Sequence, residues 1–105
     1  MQLARFLNKL FKKDGFILID AESKKYIIGS PIKKNPITLE LLDKKLHYKL
    51  MLRPDLYFGE AYADGKIIIK DGTLTDFLNL ALMNIGRKEL NFFSQLINKL
   101  SGSYR

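Results

Sequence analysis

The residues best suited to chemistry are concentrated in residues 54–72, which read PDLYFGEAYADGKIIIKDG. Glu60 and Asp64 are four residues apart, so a helix would place both carboxylates on one face, near Tyr62. Paired carboxylates can act as general acid and base. They can equally hold a turn or accept hydrogen bonds from backbone amides, and Gly65 favours this second interpretation because glycine tolerates turn conformations. We therefore expect Asp64 and Gly65 to form a turn.

Other residue sets that support catalysis are missing from the sequence. His47 is the one histidine and there is no cysteine, so no thiolate or second imidazole is available to share a metal ion. We expect His47 to be a surface or half-buried histidine. The sequence shows no glycine-rich phosphate loop after a strand and no nucleophile elbow around a serine. It therefore predicts no catalytic, cofactor-binding or metal-binding residue in this chain.

The positive charge lies at the two ends of the chain, which has a formal net charge of +7. Residues 1–13 contain Arg5, Lys9, Lys12 and Lys13 and no acid, whereas residues 14–85 contain ten basic and ten acidic residues. This asymmetry predicts contact with an anionic surface. Nucleic acid is disfavoured as the partner, because the aromatic residues lie in apolar stripes and not among arginines.

The apolar spacing predicts a single α+β domain, with a small, mainly antiparallel sheet and helices on one face and at both ends. Leucine and phenylalanine at i, i+3, i+4, i+7 and i+8 predict an amphipathic helix over residues 3–13, ended by Gly15. Asp43 is the expected N-cap of a helix that buries Leu46 and Leu50, and Pro54 is expected to end it. The other predicted elements are strands at 16–19, 26–28, 37–41 and 67–69, helices at 56–62, 74–85 and 89–100, and a Thr73–Asp76 capping box.

The order of these motifs resembles a known family. Gly59-Glu60-Ala61-Tyr62 and Asp64-Gly65, then a short strand, then Asp71-Gly72-Thr73-Leu74, resemble the start of the cyclopropane-fatty-acyl-phospholipid synthases. The resemblance covers nearly the whole chain. The commoner family form has methionine or valine where this chain has Ala63.

The resemblance implies a sterol-carrier-like, lipid-associated N-terminal domain over residues 1–100, with residues 101–105 starting a linker. An S-adenosylmethionine-dependent methyltransferase domain would follow, so no catalytic residue carries over to this chain. The motif residues would support the domain, lipid access or contact with the catalytic domain. They are Tyr57, Gly59, Glu60, Tyr62, Asp64 and Gly65.

The expected function is therefore non-catalytic: docking on anionic phospholipid and presenting an acyl chain to the catalytic domain. Arg5, Lys9, Lys12 and Lys13 are the expected contacts with the lipid surface, at the inner face of a bacterial cytoplasmic membrane. The alternative is a protein-interaction scaffold that packs on the catalytic domain or self-associates without binding lipid. No cofactor is expected within this chain, and no apolar run reaches the roughly 20 residues that a membrane-spanning helix needs.

Overall fold

The computed structural model describes residues 1–85, except for the side chain of Asp55. This part of the chain contains four helices and four strands. In chain order they are α1 (Gln2–Leu10), β1 (Gly15–Ile19), β2 (Lys25–Gly29), β3 (Thr38–Leu41), α2 (Leu46–Leu52), α3 (Pro54–Ala63), β4 (Ile67–Asp71) and α4 (Leu74–Asn84). The predicted helix over 89–100 lies outside the described residues.

The four strands form one open sheet in the order β2-β1-β3-β4. The pairs β1–β2 and β3–β4 are antiparallel, and β1–β3 is parallel. The predicted α+β class with a mainly antiparallel sheet is confirmed. The parallel pair has no local signal in the sequence, because it depends on the loop after β2 carrying the chain to the far side of β1.

The helices pack on one face of this sheet. Side chains alternate along each strand, and the register places Phe16 and Leu18 of β1 on the same face as Leu39 and Leu41 of β3. All four are almost fully buried, in a core shared with residues of all four helices. The opposite face of the sheet is partly open, with the side chain of Ile27 68% exposed.

Helix α1 confirms the predicted stripe but ends earlier than predicted. Leu3 and Leu7 are buried, whereas the helix stops at Leu10 and Phe11 has an extended backbone. The Phe11 ring packs edge-on against Phe16 with the ring centroids 5.0 Å apart. Gly15 is therefore not the helix terminator that we predicted, because tertiary packing of Phe11 ends the helix first.

The start of α2 also differs from the prediction. Leu46 and Leu50 are buried as expected, but Asp43 is not the N-cap, since a turn separates it from the helix. Its Oδ1 accepts a hydrogen bond from the Lys45 N–H at 2.9 Å, and its Oδ2 lies 3.4 Å from Lys66 Nζ. The backbone bond, aided by the ammonium group, lowers the pKa of Asp43.

Two further predictions concern the remaining helices. Pro54 follows α2 as predicted, and it is also the first residue of α3, a position that suits its fixed φ and missing N–H. The Thr73–Asp76 capping box is confirmed. The Asp76 N–H donates to Thr73 Oγ1 at 3.1 Å, and the Thr73 N–H donates to Asp76 Oδ2 at 3.3 Å. Helix α4 buries Phe77, Leu80 and Ala81 in the core.

Candidate functional site

A cavity of about 380 Å³ lies between the helices and the covered face of the sheet. Its volume is within the range of roughly 300–1,000 Å³ found for small-molecule sites. Helices α1, α2, α3 and α4 provide its walls and strands β1, β3 and β4 its floor. The lining residues are Phe6, Leu7, Leu10, Phe11, Phe16, Leu18, Leu39, Leu41, Leu50, Arg53, Pro54, Phe58, Ile67, Phe77, Ala81 and Ile85.

The amphipathic stripe of α1 forms one wall. Leu3 and Leu7 are buried and Phe6 and Leu10 are half-buried; of these, Phe6, Leu7 and Leu10 line the cavity. Part of the stripe therefore faces the cavity. This wall thus follows directly from the 3.6-residue periodicity.

Packed aromatic rings stiffen the opposite wall. Phe77 of α4 meets Phe16 edge-on, with ring centroids 5.2 Å apart, and stacks on Phe58 of α3 at 5.0 Å. Phe58 also stacks on Tyr62 at 6.3 Å. These separations lie in the favourable range for aromatic pairs. Interlocked rings hold α3, α4 and β1 at fixed positions around the cavity.

The chemistry of the lining favours an apolar ligand. Among residues 1–85, fifteen of the sixteen that line the cavity have apolar side chains, and the exception is Arg53, which is exposed. Such a surface offers dispersion contacts and burial from water. It does not resemble an acid–base site, since none of the lining residues that the structure describes has a carboxylate or an imidazole.

The four basic residues predicted to contact an anionic surface are all exposed. Arg5 and Lys9 lie on α1 away from its buried stripe, and Lys12 and Lys13 follow the helix. The Lys13 backbone is also tied to Asn84 at the end of α4, with its N–H 2.6 Å from Oδ1 and its carbonyl oxygen 2.7 Å from Nδ2. The basic segment that follows α1 is therefore held beside the end of α4, which also lines the cavity.

The predicted motif residues lie on α3 and at its C-terminal end but do not converge on a common site. Gly59 is buried, Tyr57 and Tyr62 are half-buried, and Glu60 is exposed. The Lys49 ammonium lies 5.5 Å from the centre of the Tyr57 ring, in the range of cation–π contacts. The contribution of α3 to the cavity comes instead from its Phe58 side.

The turn prediction for the end of the motif is confirmed. The Asp64 N–H donates to the Glu60 carbonyl oxygen at 2.9 Å, and Gly65 has φ of +74°. A positive φ favours glycine because it has no Cβ. Asp64 and Gly65 therefore end α3 and direct the chain into β4.

A buried carboxylate that the sequence analysis did not single out lies at the turn between β1 and β2. Asp20 is 4% exposed. Its Oδ1 accepts from the N–H groups of Glu22 and Lys24, both at 2.9 Å, and its Oδ2 accepts from the Tyr26 hydroxyl at 3.2 Å. His47, from α2, accepts from the Ala21 N–H at 3.2 Å through Nε2. The prediction of a half-buried histidine is thus confirmed.

These contacts determine the ionisation of Asp20. Burial acts to raise the pKa of Asp20, but the two backbone N–H groups outweigh it, with help from the Tyr26 hydroxyl and nearby His47. The pKa of Asp20 is consequently below its ordinary value of 3.8. Burial and the bond to Asp20 raise the pKa of Tyr26 in turn. With its acceptors already engaged, this cluster is suited to holding the turn.

Among residues 1–85, no group of three or more histidine, cysteine, aspartate or glutamate side chains is placed to hold a metal ion. Of the helices in that same part of the chain, none has the length and apolar character needed to cross a membrane.

Comparisons with family models, with curated proteins and with solved structures found no match to this chain.

Proposed function

We propose that this chain is a non-catalytic lipid-docking and acyl-presenting domain of a cyclopropane-fatty-acyl-phospholipid synthase-like methyltransferase. The observation that carries the proposal is the cavity of about 380 Å³, lined almost entirely by apolar side chains. An acyl chain matches this lining, because its described residues are apolar except for Arg53 and burial of a hydrocarbon chain among them is favourable. S-adenosylmethionine and the catalytic residues would belong to the separate methyltransferase domain.

The exposed basic residues support docking at the inner face of a bacterial membrane. Arg5, Lys9, Lys12 and Lys13 lie on or just after α1, whose Phe6 and Leu10 line the cavity. Each basic residue near an anionic leaflet contributes on the order of 1 kcal/mol. The charges would hold the domain on phospholipid while the adjacent cavity receives an acyl chain.

Vesicle sedimentation tests the docking. Binding of the full chain should be strong with vesicles rich in phosphatidylglycerol and weak with phosphatidylcholine at low salt. A variant with Arg5, Lys9, Lys12 and Lys13 all changed to Gln should bind anionic vesicles at least about tenfold more weakly, given on the order of 1 kcal/mol per residue.

The matched control changes Lys24, Lys25, Lys33 and Lys34 to Gln, because these residues are also exposed and their loss removes the same charge. This variant should keep most of the binding. Equal binding of the wild type to neutral and anionic vesicles, or an equal loss in both variants, would contradict docking through the basic end of α1.

A second candidate function is a protein-interaction scaffold without lipid binding. It is favoured by the open face of the sheet, where the side chains of Ile27 and Ile68 are 68% and 42% exposed. This surface would pack on the methyltransferase domain or on a second copy. Restored activity after mixing with a separately expressed catalytic domain, without any binding of lipid by this chain, would favour the scaffold.

A further inference from the structure

Arg53 lies where the apolar cavity meets solvent. It is exposed, and among the described residues that line the cavity it is the charged one. Its N–H donates to the Lys49 carbonyl oxygen, and its own carbonyl oxygen accepts from the Tyr57 N–H, both at 3.0 Å. The residue is thus held between the end of α2 and the start of α3. Its cationic side chain has a fixed anchor point at the mouth of the cavity.

We propose that Arg53 binds the phosphate of the phospholipid whose acyl chain occupies the cavity, an inference that rests on the proposed function. The planar guanidinium group can bind phosphate oxygens through two parallel N–H donors. Arg53 already takes part in an interaction within the chain. A guanidinium group has five N–H donors, more than a bidentate contact with a phosphate uses.

Charge complementarity argues for an anionic amphiphile as the occupant. The lining combines fifteen apolar residues with one cation and includes no acid among the residues that the structure describes. Lys49, four residues before Arg53, adds positive charge close to the Tyr57 ring. The apolar chain of such a ligand would match the interior of the cavity, and its anionic head would match the positive charge of Arg53 at the mouth.

Calorimetric titration of the full chain with two amphiphiles tests the role of Arg53. Dodecyl phosphate carries the anionic head, and dodecyl maltoside has the same alkyl chain with a neutral head. Both are used below their micelle-forming concentrations. The Arg53→Gln variant should bind dodecyl phosphate about tenfold more weakly, the loss expected for a charge-assisted bidentate contact, and should bind dodecyl maltoside as the wild type does.

The control variant Lys34→Gln removes the same charge from an exposed loop and should leave both affinities unchanged. Arg53→Lys keeps the charge but loses the two parallel N–H donors of the guanidinium group. It should weaken the binding of dodecyl phosphate and leave the binding of dodecyl maltoside unchanged. This variant decides the comparison if Arg53→Gln does not fold.

The outcomes separate this inference from the proposed function. Unchanged binding of dodecyl phosphate by the folded Arg53 variants, or an equal loss of both amphiphiles, would overturn the role of Arg53 while leaving the cavity as an acyl site. Failure of the wild type to bind either amphiphile would overturn both. A further measurement is the nuclear Overhauser effect between methyl groups that line the cavity and residues after 85. If such contacts exist and dodecyl phosphate does not change them, the cavity would be filled by the chain itself, and both proposals would be overturned.

Discussion

Strand β1 belongs both to the β1–β2 hairpin, which is tightly closed, and to the floor of the cavity, which has room for a ligand. At one end of the hairpin, Gly15 and Gly29 pair directly with no room for a side chain. At the other end, both carboxylate oxygens of Asp20 are occupied by donors. On the covered face of β1, by contrast, Phe16 and Leu18 border unfilled space. The comparison indicates that the hairpin is structural and that capacity for a ligand lies in the cavity.

The largest expected effect on stability comes from adding a side chain at Gly15, where the two strands of the hairpin lie close together. A Cβ on Gly15 would lie 2.0 Å from the Ile28 carbonyl oxygen, so Gly15→Ala must separate the paired strands. We expect the free energy of unfolding to fall by about 3 kcal/mol, the upper end of the usual range for overpacking. Urea denaturation measures this change.

Gly65→Ala is the matched control for that substitution. No atom lies within 4 Å of the position of its added Cβ, and only its φ of +74° opposes the change. The expected cost is about 1 kcal/mol. Equal costs at Gly15 and Gly65 would show that the hairpin is not tightly closed at its glycine pair.

The second largest effect concerns the buried carboxylate. Asp20→Asn should lower the free energy of unfolding at pH 7 by about 2 kcal/mol, because the donors would then bond to a neutral amide in place of a charged carboxylate. The native pKa of Asp20 is below its ordinary value of 3.8. The ionised carboxylate therefore contributes stability fully above the unfolded-state pKa, and this contribution is lost as pH falls through the native pKa.

Denaturation at several pH values between 7 and 3 measures this dependence, and the difference between wild type and Asp20→Asn should narrow towards the acid end. Glu22→Gln is the control, because the Glu22–Lys44 pair is exposed and 3.8 Å long; we expect a change within about 0.5 kcal/mol. A constant difference at all pH values would contradict ionisation of Asp20 as the source of the stability.

The smallest expected effect on stability accompanies a change in ligand binding. Ala81 is 3% exposed and lines the cavity, so Ala81→Leu should place three more carbon atoms in its space. We expect the affinity for dodecyl maltoside to fall about tenfold and the free energy of unfolding to change by less than about 1 kcal/mol, since filling offsets strain. Calorimetry and urea denaturation measure the two quantities.

Thr75→Leu adds bulk at an exposed position of the same helix and should change neither quantity appreciably. If Ala81→Leu bound dodecyl maltoside as tightly as the wild type, the amphiphile would lie outside the cavity. The cavity would then no longer differ from the hairpin in its capacity for a ligand.

Much of the local structure could be predicted from residue types and their spacing. The stripe of α1, the β1–β2 hairpin, the capping box of α4 and the turn at Asp64-Gly65 all follow from residue spacing or turn chemistry within a few positions. The sequence also identified the exposed basic residues, because a stripe of apolar residues defines the opposite face of a helix. Such features depend on neighbours in the chain.

The features that join residues far apart in the chain could not be predicted in this way, because they depend on how the elements pack. The parallel pairing of β1 with β3, the early end of α1 at the buried Phe11, and the contact of His47 with the Asp20 turn each depend on packing between separate elements. The cavity is the strongest case. Its lining comes from residues between Phe6 and Ile85, and the same apolar residues would be read from the sequence as a filled core. Unfilled volume is a property of how the elements meet, so no local pattern encodes it.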